Sequence, residues 1–578
     1  MFLLGFKWRV GSRVRMLATL ALVVTFCMSF SACASPAPVA TKVPEATEAP
    51  EPTKAPEPTE APELGELVPE LLQVGWTMAQ SPDRYEMGMM LQKDLEQYLG
   101  LKTEFRPLDT PSFPPMFEST TNWAADFVIT GYTGRPWRAD PHEILSNFIS
   151  AEIKDGGKNR YAYSNPRYDE LIDLQSRELD PEKRRELVWE AQELMVEDAV
   201  IVNIWAKDNV GVYNKDLFTG IVPMYGSGAM NFWCALEMEP LTDQRILRVA
   251  TIVEFNHMNV LLSTLGELEK LQLLFDTLVR ITPEGTVVEW AAESLEYQDP
   301  TTLRVKLRPG MKWHDGEPVT AEDVKFTFDY YVEKQQPRLT SVLGIIDSVE
   351  VVDDLTADFI LTQPSANFQM TVLGQSFLIP KHVWENIEDP NEVNEITHPE
   401  IMIASGPFIY KHWRRGEELE MVANPDHFNP PKIDGVRHIM YGNHEAAFLG
   451  FETANADISE WLVLPDYAAR AEELPHLEVV TVPDIYAAFI AFQTRRAPMS
   501  DINFRKAMVH MVRYDYISDV IYGGYAQPCN TIVTIGNRFW HNPNVANVYE
   551  FNPEKAKQIL IDAGYGWDEE GRLRMPPQ

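Results

Sequence analysis

The chain has 578 residues, 45% of them hydrophobic and 11% aromatic, enough to bury a large core and to divide into more than one domain. A formal net charge of -35 repels nucleic acid and anionic lipid headgroups, which excludes polyanion binding as a leading function. Four cysteines make no disulfide framework, and no CxxC, HExxH, GxSxG, P-loop or GxGxxG pattern gives a basis for a metal site, a cofactor or an enzyme chemistry.

Residues 1–33 place Lys7, Arg9, Arg13 and Arg15 ahead of an apolar run over 16–30 that ends in Ser31-Ala32-Cys33, the pattern of a secretory leader. The run is shorter than the roughly 20 residues a membrane span needs. Residues 34–65 contain EAPEPTKAPEPTEAPE, which has no aromatic residue to bury and prolines that favour extended polyproline II, so a semi-rigid tether is expected. From Leu67 the composition turns globular. Strands are predicted over 71–77, 103–108 and 127–130, with a helix over 85–99 closed by Gly100: an alternating α/β pattern. Asp180 is set to cap a helix with Pro181 at its first position, and Leu187, Val188, Ala191, Leu194 and Met195 read as its core face. Cys234 and Cys529 are expected as two buried thiols.

Residues 304–307 alternate as a half-buried strand does, Pro309-Gly310 turns the chain, and Thr320 with Asp323 forms a capping box for a helix whose Val324, Phe328 and Tyr331 share a face. His314 and Asp315 sit in a glycine-containing turn before that cap, which explains them without a catalytic role. Asn552 and Pro553 start a last helix, Gly564 follows its end, and WDEEGRLRMPPQ reads as a hairpin.

The stretch KLRPGMKWHDGEPVTAEDVKF at 306–326 resembles the signature of the family 5 extracellular solute-binding proteins, the peptide, nickel and sugar receptors of ABC importers. In that family the signature lies near the mature N-terminus. Here GYTGRPWRADPHE, RYAYSNPRYDELIDL and DPEKRRELVWEAQELMVEDAVIVNIW, which resemble segments of the family's last third, come first, and TGIVPMYGSGAMNFWCALE resembles its closing residues. ILRVATIV at 246–253 then resembles the first strand of a mature receptor. ASGPFIYKHWRRGEELEMVANPDHF, NADISEWL, MSDINFRKAMVHMVRYDYI and FNPEKAKQILIDAGY follow in the family's usual order. LVPELLQVGWT at 67–77 resembles the strand that would come next.

The resemblance therefore implies a circularly permuted, two-lobed α/β fold of the type II periplasmic-binding class with the extra family 5 subdomain. The expected division is a leader at 1–33, a tether at 34–65, the second part of lobe 2 at 66–205, and lobe 1 at 206–284 with the old termini joined near 240–246. The extra subdomain then takes 285–403, lobe 1 resumes at 404–480, and 481–578 supplies the first part of lobe 2. It also implies a lipid on Cys33 and hence a lipid-anchored, extracytoplasmic monomer that touches the membrane only through that anchor. The implied function is capture of a peptide or other small molecule for an ABC permease, without cofactor, nucleic acid or turnover. An oligosaccharide ligand, and a sensor acting without a permease, are the alternatives. Tyr132, Arg135, Trp137, Asp140, Asn256, Trp461 and Tyr486 are the implied cleft residues. Peptide-binding members pair the ligand's α-amino group with an acid at the position counted here as Arg135. A guanidinium there favours a carboxylate, a phosphate or a stacked sugar, unless the two-residue-longer loop brings Asp140 into that role.

Overall fold

The structure, a computed structural model, describes residues 64–578 except 79–80, 110–111, 113–115, 117–122, 133, 155, 253–254, 264, 337–338, 461–462, 546–548 and 578, and except the side chains of 265–266, 340–341 and 486. The expected leader, the tether up to residue 63 and Cys33 lie outside the described residues.

In chain order the elements that build the lobes begin with β1 (Leu71–Trp76), α1 (Pro82–Leu99), β2 (Thr103–Leu108) and β3 (Phe127–Tyr132). The pair α2 (Pro166–Arg177) and α3 (Pro181–Glu197) leads into β4 (Ile201–Asn214), β5 (Ile246–Thr251) and α4 (Leu265–Leu274). A separate antiparallel sheet in the order β6-β7-β9-β8 follows, from β6 (Ala292–Asp299), β7 (Thr302–Leu307), β8 (Ile346–Asp353) and β9 (Thr356–Leu361), with α5 (Ala321–Glu333) packed on it. The chain then returns through β10 (Phe408–Arg414), β11 (Glu418–Ala423), β12 (Gly435–Met440), β13 (Ile458–Ser459), β14 (Leu477–Phe492), β15 (Ala526–Pro528) and α6 (Pro553–Asp562).

Ten strands run in the order β10-β11-β12-β5-β13-β4-β14-β3-β1-β2, with β15 beside β4. Two of them, β4 and β14, are long enough to serve both lobes, pairing antiparallel from Leu477 opposite Asn214 to Ala491 opposite Ile201. One end of this ribbon joins β5 and β10–β13 in lobe 1; the other joins β1–β3 in lobe 2. In lobe 2 β1 and β3 are largely buried and read as mostly apolar runs rather than alternations, whereas β2, at the sheet edge, is largely exposed. Phe127, Ile129, Ala488, Ile490 and Phe492 meet the side chains of α1 and α6, while Val128, Phe489 and Ala491 meet those of α2 and α3.

Local sequence explains most ends. Gly100 stops α1 at φ 61, in the left-handed region that costs glycine nothing, and Pro82 starts the helix three residues before the expected Tyr85. The side chains of Asn165, Asp180 and Asn552 accept the first free amides of their helices, and Thr320 with Asp323 forms the capping box. On α3 the buried face is Arg184, Val188, Ala191, Gln192 and Met195, with Leu187 and Leu194 only half-buried at its margin. Cys234 and Cys529 are buried and unpaired, and burial pushes their thiols up to about 12 and 11 respectively.

The last hairpin, Gly566–Trp567 against Leu573–Arg574, extends onto the segment before β1. Leu67 bridges Arg574 in antiparallel sense, Gly65 N–H donates to Met575 O (3.0 Å) and Met575 N–H to Glu66 O (2.8 Å). These two segments lie as the arms of a second hairpin.

Candidate functional site

Where β14 crosses between the lobes its pairing slips. Pro483 lies opposite Asp208, but the next partners are Ala487 and Ala206, so residues 484–486 bulge out against Lys207 alone. Proline has no N–H to give the ladder, which is why the slip falls there. The bulge turns Asp484 toward a cavity of about 260 Å³ between the lobes. Lobe 2 and the crossover strands line that cavity with Arg84, Gly134, Arg135, Lys207, Asp208, Asp484, Tyr522 and Tyr525, and lobe 1 with Glu269, Val463, Leu464 and Pro465. A larger hollow of about 440 Å³ opens between residues 142–176 and 342–372. Three of its hydroxyls are engaged within the protein, Ser176 with Asp173 O, Ser365 with Asn367 Oδ1 and Thr371 with Asn367 O. The smaller cavity is the better candidate, because it straddles the crossover and holds charged groups out of water.

Asp484 is 5% exposed, and its Oδ1 accepts the Ile485 N–H at 2.7 Å. A Cβ on Gly134 would fall inside the van der Waals envelope of this carboxylate, so the loop after β3 can approach only as glycine. Burial pushes the Asp484 carboxyl above the usual range, against the pull of Lys207, Arg135 and Arg138. Asp208 is raised as well, by burial and by the Asp484 charge. On the facing wall burial and the Glu460 charge push Glu269 up, against Lys270 and Arg135.

Of the seven residues implied by the sequence, Arg135 lines this cavity. It is 6% exposed and donates to Glu269 of the opposite lobe at 3.3 Å, not a solvated loop charge. Asp140, expected as the alternative acid for the ligand's ammonium, is turned away from this cavity: Arg184 grips it through two bonds of 2.8 and 2.7 Å, and it accepts the His142 N–H. Burial would raise its carboxyl, and the Arg184 guanidinium outweighs that and holds it below the usual range. Tyr132 lies within lobe 2, its hydroxyl 3.2 Å from that of Tyr161 and its ring against Phe489. Trp137 lines a separate hollow with Met224, Phe232 and Trp233. Asn256 is exposed, its amide held by Glu267 and its carbonyl by Arg415. Trp461 lies outside the described residues, and of Tyr486 the backbone alone is described, in the bulge. Asp208, Asp484 and Glu269 were not singled out from sequence. The one signal for Asp484 was Pro483-Asp484 interrupting an otherwise apolar run of strand-forming residues.

Residues 286–578, just over half of the chain, match the family described as bacterial extracellular solute-binding proteins, family 5 (middle). The chain belongs to this family. Among curated relatives, the oligopeptide-binding protein AppA of Bacillus subtilis is 27% identical over 299 residues, 51% of this chain and 54% of that protein. A putative ABC transporter peptide-binding protein of Brucella ovis is 27% identical over 280 residues, 48% of this chain and 51% of that protein. This family 5 protein thus spans about half the length of the curated relatives it matches. The solved structure of Bacillus subtilis AppA in complex with a nonapeptide aligns at 24% identity and a TM-score of 0.45, over 57% of this chain and 66% of that one. No helix among the described residues is long and apolar enough to cross a membrane.

Proposed function

We propose that this solute-binding protein captures a peptide-like ligand, by its free ammonium group, in the cavity between the lobes and delivers it to an ABC import permease. The observation that carries this reading is the pair of acids at the crossover, Asp484 buried and Asp208 half-buried. Burial raises both carboxyls and the Asp484 charge raises Asp208 further, so an ammonium placed between them would relieve both. The cavity also lines Arg84, Arg135 and Lys207 against Asp208, Glu269 and Asp484, so a net-neutral zwitterion enters without leaving an uncompensated charge. The names of the oligopeptide- and peptide-binding relatives support the same ligand class. Calorimetry with short peptides, each with a free and an N-acetylated amino terminus, tests it. The free form is expected to bind at least about tenfold more tightly, the worth of one charged hydrogen bond. Equal affinities would remove the ammonium from the argument, and binding of oligosaccharides with no peptide binding would move the receptor to a sugar ligand.

We also propose that the order of the segments is a circular permutation. The support is the hairpin-like pairing of 65–68 with 573–575, since a surface turn is where new ends are best tolerated. Moving residues 66–245 behind residue 578 is then expected to give a soluble receptor with the thermal unfolding midpoint of the natural order. Aggregation of the rearranged chain alone would count against the permutation.

A further inference from the structure

Lobe 1 brings together three ionisable side chains that do not balance, two of them buried and the third half-buried. Lys270 of α4 is bonded to Glu460, which follows β13, and Glu269 lies beside them on the same helix. The neighbouring His438 of β12 adds no positive charge, because burial pushes its imidazole down to about 4. Lys270 is engaged by Glu460, which leaves Glu269, pushed up by burial and by the Glu460 charge, as the acid with no bonded cation among the described residues of lobe 1. The second cation comes across the cleft: Arg135, in the loop that follows β3 of lobe 2, donates its Nη1–H to Glu269 Oε1 at 3.3 Å, with the two side chains 7% and 15% exposed.

We propose that Arg135 and Glu269 form an interlobe latch that holds the cleft shut, Arg135 supplying from lobe 2 the counter-charge that lobe 1 lacks. The backbone around it is shaped for contact. The turn at residues 224–228, which leads into the lobe 1 helix Phe232–Glu237, meets the Arg135 loop, and a Cβ on Gly226 would lie 3.0 Å from the Arg135 carbonyl carbon and 3.1 Å from Pro136 N. Gly226 also takes φ 77, so a side chain there is both strained and crowded. Separating the lobes breaks the ion pair and leaves Glu269 to the repulsion of Glu460. The latch rests on the two-lobed fold and on these charges, and it does not depend on which ligand fills the cavity.

A double-mutant cycle read by hydrogen exchange of the ligand-free protein tests it. Glu269→Gln and Arg135→Met are each expected to speed exchange of the amides of 134–139 and 224–228 about tenfold, as loss of a charge-assisted bond should. The double variant is expected to exchange no faster than either single one, because both remove the same interaction. Arg135→Lys, which keeps the charge but not the fork, should fall between. Unchanged exchange in the single variants, or multiplied effects in the double one, would overturn the latch. Equal acceleration in β1, remote from the cleft, would overturn it too by showing loss of general stability.

Discussion

Arg184→Met is expected to destabilise the protein by about 3–5 kcal/mol, because it leaves the Asp140 carboxylate buried without its partner. Both residues are only 4% exposed, and Arg184 also bonds the carbonyl and Oε1 of Gln175 and lies 4.8 Å from the Trp540 ring centroid. Asp140→Ala should cost a similar amount by stranding the guanidinium. The double variant Asp140→Leu/Arg184→Met should recover part of the loss, since removing both charges also removes their desolvation cost. Denaturant unfolding checks all three. The pH dependence has a definite sign: a carboxyl held below its unfolded value contributes stability that is present above the unfolded pKa and lost as pH falls through the folded one. In Asp140→Asn that acid-side loss should shrink while ligand affinity stays at the parent level, because Asp140 does not line the cavity. Affinity falling in parallel with stability would return Asp140 to the binding site.

The contrast between Asp140 and Asp484 marks how far the sequence could be read. Elements set by local rules were legible: β2 matches its expected bounds, and the caps at Thr320, Asp180 and Asn552 are made by the expected side chains. So was the family, because KLRPGMKWHDGEPVTAEDVKF carries its constraint within one strand, turn and helix. The cleft was not legible in the same way, because its walls come from residues far apart in the chain. Arg135 meets Glu269, 134 positions away, and Asp140 meets Arg184 across 44. Counting along the GYTGRPWRADP loop finds which residues lie near the cleft mouth but not which way each side chain turns. A tight 3-10 turn over Pro136–Ala139 separates Arg135, which faces the cleft, from Asp140, which faces α3. The aromatic residues show the same limit. Tyr132 and Trp137 look like stacking platforms in sequence, but Tyr132 packs on Phe489 within lobe 2 and Trp137 lines a separate hollow.

Asp484→Asn is the second large effect expected, and it falls on binding rather than on folding. Asparagine keeps the size of the side chain and an oxygen to accept the Ile485 N–H, but it removes the negative charge from the bulge. Affinity for peptides with a free amino terminus should fall about 10- to 100-fold, the range for a buried charged hydrogen bond. N-acetylated peptides should bind both proteins alike. Gly134→Ala should act in the same direction by displacing the carboxylate, even though it leaves every charge in place. In the parent protein burial raises the acid, and a bound ammonium favours its ionised form. Binding therefore releases a proton, and affinity should rise with pH through the raised carboxyl value until the ligand's own amine begins to lose its proton, near pH 8 for an α-amino group. Asp208 remains in Asp484→Asn, and without its neighbour's charge its carboxyl should return toward the ordinary range, moving the acid limb of the profile to lower pH. Calorimetry of one free-amine peptide across that range, in both proteins, separates the outcomes. A profile that does not move, with affinity unchanged, would place ligand recognition outside the bulge and away from Asp484.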